Sequence, residues 1–113
     1  METQPKMGKI TIAPDVLETI ARLTALAVPG VVRLSTPPGV QRLLGQDGVK
    51  IEITKDRVRA DVYIVTKQDV NMLNIGRQIQ NEVTRAIHDI VGMGVESVNV
   101  HIEDVANTAL PST

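Results

Sequence analysis

Along residues 97–103 a hydroxyl, an amide, an imidazole and a carboxylate recur at every second position, as Ser97, Asn99, His101 and Glu103. Val98, Val100 and Ile102 stand between them. A strand sends alternate side chains to opposite faces, so the polar row shares one face while the aliphatic row feeds a core. Such groups could ligate a metal, build a nucleophile with its base, or exchange protons between carboxylates. Each chemistry needs partners that the chain must supply elsewhere.

A zinc site wants clustered His and Cys at ligand spacing. Only His88 and His101 are available, not at i,i+4, and there is no cysteine. That composition also excludes disulfides, thiolate clusters and thiol nucleophiles. A Ser-His-acid arrangement would draw on Ser35, Ser97 or Ser112, none in a nucleophile-elbow context. Glu52 and Asp61 form a carboxylate pair without an apolar pocket to split their acidities. In "VGMGV" (91–95) the glycines follow a helix and precede a strand, the reverse of a phosphate-binding loop. The expectation is no catalytic residue, no metal and no cofactor: the chain is not an enzyme.

What remains is recognition. Lys50, Glu52, Arg59, Asp61 and Tyr63 alternate with aliphatic residues in the preceding strands and fall on the same sheet face as Ser97, Asn99, His101 and Glu103. Opposite charges on neighbouring strands suit surface pairing. This face reads either as solvated surface or as a partner-binding surface. A second reading uses Lys55, Arg57 and Arg59, with Lys67, as a small basic end for a KH-like RNA-binding module. Asp56 and Asp61 offset that charge, and no G-x-x-G clamp separates helical segments, so nucleic acid is the weaker partner. One Tyr, with no Phe or Trp, leaves bases little to stack on.

The 113 residues suit one domain with a modest core. Hydrophobic residues make up 42% and charged residues 22%, with a net charge of -1. No long-range field therefore draws the molecule to nucleic acid or acidic lipid. "METQPKMGK" lacks the apolar region of a secretory signal. "ALAVPGVV" is far shorter than the roughly 20 residues that span a bilayer. A cytoplasmic location is expected, with no direct membrane insertion.

The elements that must position these groups follow from periodicity. "GKITI" (8–12) reads as a strand with Ile10 and Ile12 on one side. Pro14 opens a helix whose apolar face is Val16, Leu17, Ile20, Leu23, Thr24, Ala27 and Val28, with Glu18 and Arg22 paired on the wet side. Pro29-Gly30 stops it, and "VVRL" (31–34) is a brief extended stretch. Residues 35–48 read as a long loop, with "VQRLLG" a single helical turn. "VKIEIT" and "VRADVYIVT" then form a hairpin across "KDR". A helix over 71–91, capped by Asn71, buries Ile75, Ile79, Val83, Ala86, Ile87 and Ile90, and Gly92 ends it. The last strand covers 95–103. The order βαββαβ predicts an α+β two-layer sandwich, two helices on one face of a three- to four-stranded sheet. Residues 8–105 form the single domain, between a flexible 1–7 and a flexible 106–113.

Three stretches in this order carry a family resemblance: "GKITIAPDVLETIARLTALAVPGV"; "GVKIEI" with "VRADVYIV" and "VNMLNIGRQIQNEVTRAI"; and "GVESVNVHIEDV", including Asn99 and His101. Together they resemble the bacterial alkaline shock protein family, also called envelope stress response proteins, over about residues 8 to 105. Ala13 departs from the better-capping Ser or Thr of that pattern. The resemblance implies a non-enzymatic cytosolic protein of envelope or alkaline stress, without agreed catalytic residues. It further implies a scaffold that self-associates or docks on a membrane-anchored protein, and so sits peripherally at the inner membrane face.

Overall fold

The computed structural model describes residues 7–36 and 48–106. The expected turn at 40–45, most of the expected 35–48 loop, and most of the N-terminal stretch and nearly all of the tail, both expected to be flexible, lie outside them. The described chain forms α1 (Pro14–Leu26), β1 (Val31–Leu34), β2 (Val49–Thr54), β3 (Arg57–Thr66), α2 (Met72–Ala86) and β4 (Gly94–Val105). A π-helical turn, Ile87–Val91, extends α2. Both helices cover one face of a single sheet, the α+β two-layer arrangement that the periodicity predicts.

β3 is the centre. β2 pairs with it antiparallel from Thr54↔Arg57 to Val49↔Val62, and β1 pairs antiparallel from Leu34↔Ile64 to Val31↔Thr66. These partners occupy successive stretches of one β3 edge, so β1 and β2 lie in line like an interrupted single strand. The junction is Tyr63. Its carbonyl accepts from the Ser35 N–H and its own N–H donates to the Gly48 carbonyl, both at 2.8 Å. The chain between Ser35 and Gly48 thus leaves and returns at one point of the sheet. β4 runs parallel to β3 on the opposite edge, making the sheet mixed. The β2–β3 reversal places Lys55 and Asp56 at positive φ (50° and 67°), the twist a two-residue hairpin turn requires.

The core is aliphatic: Leu17, Ala21 and Ala25 of α1 meet Ile75, Ile79 and Val83 of α2 over Val58, Ala60, Val62 and Ile64 of β3. Gly30 leads from α1 into β1. Its φ is 101°, and a Cβ there would stand 2.5 Å from Ile75 Cδ1. The backbone conformation calls for glycine, and the end of the Ile75 side chain would have to move for any larger residue. Asn71 caps α2 by accepting the Asn74 N–H at 3.0 Å. Ala13 provides no side-chain cap to α1, which starts on Pro14 instead.

Three expectations need correction. Residues 8–12 form no strand, and Ile10 is 92% exposed while Ile12 packs partly on the core. The first strand is Val31–Leu34, which takes the stretch of β3 edge left beside β2. The buried stripe of α1 is Leu17, Ala21, Ala25 and then Val28, rotated from the expected face, so Leu23 is exposed and Glu18 buried. Small Ala21 and Ala25 let the helix lie close to its neighbours, a fit that outweighs side-chain oiliness. Finally, the wider π turn after Ala86 keeps Ile87 buried and turns Ile90 outward, 69% exposed.

Candidate functional site

The face of the sheet away from the helices gathers the polar residues of three strands. Period-two alternation in β2, β3 and β4 puts them there, and the registers set their neighbours: Lys50 opposite Asp61, Glu52 opposite Arg59, Arg59 opposite Ser97, Asp61 opposite Asn99, and Tyr63 opposite His101. Glu103 falls where the β3–β4 register shifts, between the pairs Ile64↔Ile102 and Val65↔Asp104. An extra residue at such a bulge re-aims its side chain.

At the centre the His101 imidazole stacks on the Tyr63 ring, centroids 4.3 Å apart and planes 10° from parallel. His101 Nε2 lies 3.0 Å from Asp61 Oδ1. An ionised carboxylate only accepts, so the Nε2–H donates to it. Burial, followed by the charges of Asp61 and Glu103, raises the Tyr63 phenol above its usual value. Beside this cluster Arg59 and Glu52 form an exposed ion pair at 3.5 Å. Such an exposed pair adds little stability.

The arrangement orients its groups through one ring stack and one carboxylate contact. Ser97 makes no hydrogen bond to the imidazole; the His101 partners are a ring and a carboxylate. No group of three or more metal-ligating side chains occurs among the described residues. His88 meets Asp89 at 3.1 Å on the surface.

The basic end does not converge as its sequence suggests. Arg59 is held by Glu52, and the Arg57 guanidinium donates to the Val95 carbonyl at 3.2 Å. Lys67 stands past the opposite end of β3 from Lys55, because the strand between them is fully extended. Two further features are invisible in the local pattern: the Gln80 amide donates to the Val98 carbonyl at 3.1 Å, and Thr66 Oγ1 is buried without a partner among the described residues. The long spacing between 80 and 98 hides the first.

Comparison with known proteins places this geometry. The family model of the alkaline shock proteins, described by a cell envelope-related function, matches residues 2–107. The chain belongs to that family. Its relatives include YqhY of Bacillus subtilis, 28% identical over 102 residues, 85% of this chain and 76% of that protein. Spy1535 of Streptococcus pyogenes is 29% identical over 114 residues, covering 96% and 88%. Among solved structures the MamM CTD in its copper form superposes with a TM-score of 0.61 at 16% identity, over 88% of this chain and 92% of that one. At that identity the likeness is one of fold. No helix among the described residues is long and apolar enough to cross a membrane.

Proposed function

We propose that this family member is a non-catalytic interaction protein of the cell envelope, which docks a protein partner on the outer face of its sheet and also associates with itself. The carrying observation is the part of that face from Arg59 to Tyr63 and from Ser97 to His101, which keeps contact with water while Tyr63, His101 and Asp61 hold one another. The Tyr63–His101 stack supplies a flat apolar centre, Asp61 fixes the imidazole, and Lys50, Arg59, Glu52 and Glu103 ring it with both signs of charge. A central ring inside a polar rim is the anatomy of a protein-binding patch. The family's envelope role favours a membrane-anchored partner, which would bring this chain to the membrane from the cytoplasmic side. Nucleic acid is disfavoured because Arg59 pairs with Glu52, the Arg57 guanidinium donates to the Val95 carbonyl and Lys67 lies past the far end of β3 from Lys55.

Affinity capture from detergent-solubilised bacterial membranes tests the proposal. A partner retained by the wild type should be lost with Tyr63→Ala/Arg59→Glu, about a hundredfold weaker when the centre and a rim charge change together. It should be retained by Leu23→Gln on the helix layer. Equal retention by both variants would sink the assignment of this face.

A further inference from the structure

The two edges of the sheet differ. β2 and β1 fill one edge of β3, while β4 borders the other, and among the described residues no strand pairs beyond it. The backbone of Tyr63 addresses Gly48 and Ser35, so odd residues of β3 face β1 and β2. Even residues therefore face β4. With Val62 in register with Val100, the parallel ladder uses the backbone groups of Asn99 and His101. Those of Val98, Val100 and Ile102 point outward, and Gln80 holds the Val98 carbonyl.

A groove of about 370 Å³ runs beside this edge, lined by Met72, Leu73, Gly76, Arg77 and the β4 aliphatics Val100 and Ile102. Leu73 is 62% exposed. Gly76 weakens the middle of α2, yet a Cβ there would meet nothing within 4 Å. Among the described residues nothing requires a glycine there, and the open space beside it would admit a second helix.

We infer that β4 pairs antiparallel with β4 of a second copy, joining two sheets into one and bringing the α2 helices together at Gly76. An incoming strand must turn aliphatic side chains toward the helix layer and polar ones toward the outer face, which is the alternation of β4 itself. The fullest overlap of Gly94–Val105 with its copy puts the axis at Asn99 or Val100, and charge selects between these two. With Asn99 on the two-fold axis, Ser97 faces His101 and Val98 faces Val100, and no carboxylates stand opposite one another. With Val100 on the axis, Glu96 would face Asp104, an unfavourable pair. Because Gln80 is level with Val98, the Asn99 axis also sets Arg77 of one copy near Gln80 of the other. An isologous pairing of this kind closes on itself. The inference rests on reading the chain as an interaction protein and locates its self-association.

The chain has no cysteine, so introduced thiols report without background. Asn99 faces β3, hence Asn99 against Asn99 is a non-hydrogen-bonded pair with Cα atoms about 4.5 Å apart, within disulfide range. In the full chain under mild oxidation, Asn99→Cys should cross-link to a dimer. Ser97→Cys and His101→Cys should each stay monomeric on denaturing gels but cross-link when mixed. Glu52→Cys, on the outer face but on the far strand, should not cross-link. In sedimentation, Gly76→Gln should keep the circular dichroism of the wild type and weaken association about tenfold or more. A wild-type dimer without the Asn99→Cys cross-link, or with Glu52→Cys linking equally well, would overturn the β4 pairing and leave partner docking intact. A strictly monomeric wild type would overturn the pairing and self-association together.

Discussion

On one face of β3, Val58, Ala60, Val62 and Ile64 are fully buried; on the other, Arg59, Asp61 and Tyr63 keep contact with water. The strand is one piece of backbone, so the contrast comes from what lies above each face. The helix side is closed by Leu17, Ile79 and Val83 and must be filled to native density. The outer side satisfies its groups laterally, through the Tyr63–His101 stack and the Glu52–Arg59 pair. Stability is concentrated on the first face and freedom to vary on the second. A recognition surface can therefore change without unfolding the molecule.

The sharpest way to break this contrast is Ile64→Ala. The lost contacts and residual cavity should cost about 2–5 kcal/mol in urea unfolding. A loss no greater than that of an outer-face truncation would erase the distinction between the faces. Next in size is Thr66→Val on the helix side. Its hydroxyl is buried and unpaired among the described residues, so a near-isosteric methyl should stabilise by about 1 kcal/mol. Destabilisation would mean that the hydroxyl has a partner in solution.

The smallest effect concerns Glu18, a carboxyl inside the helix layer. Burial first, then Asp15, raises its pKa, with Arg22 opposing. The folded state thus binds this proton more tightly than the unfolded chain. Its contribution is fully favourable below the ordinary carboxylate range and is lost as pH rises through the raised value. Glu18→Gln should remove that decline and melt slightly higher than wild type at neutral pH. Parallel melts from pH 4 to 7 with unchanged separation would show that Glu18 is solvated.

Much of the outer face is legible in the sequence because a strand has period two. Once Val49, Ile51, Val58, Ala60, Val62 and Val98 are assigned inward, Lys50, Glu52, Arg59, Asp61, Ser97 and Asn99 must point outward. The α2 stripe from Ile75 to Ile87 is equally plain, with Asn71 and Gly92 marking its ends. The α1 face is less so: thirteen residues with apolar side chains nearly all round admit several rotations. Ile90 fails for another reason, since the π turn changes the helical period where the local sequence gives no sign of it.

By itself the sequence determined which residues alternate, where the helices cap and stop, and that thiol chemistry is impossible, because these depend on neighbouring residues or composition alone. Tertiary structure decided that β1 and β2 share one edge of β3, that Glu18 is buried, and that His101 stacks on Tyr63 while bonding Asp61. Those outcomes depend on which surfaces meet. Contacts across 38 or 40 positions are fixed by packing, which no local pattern specifies.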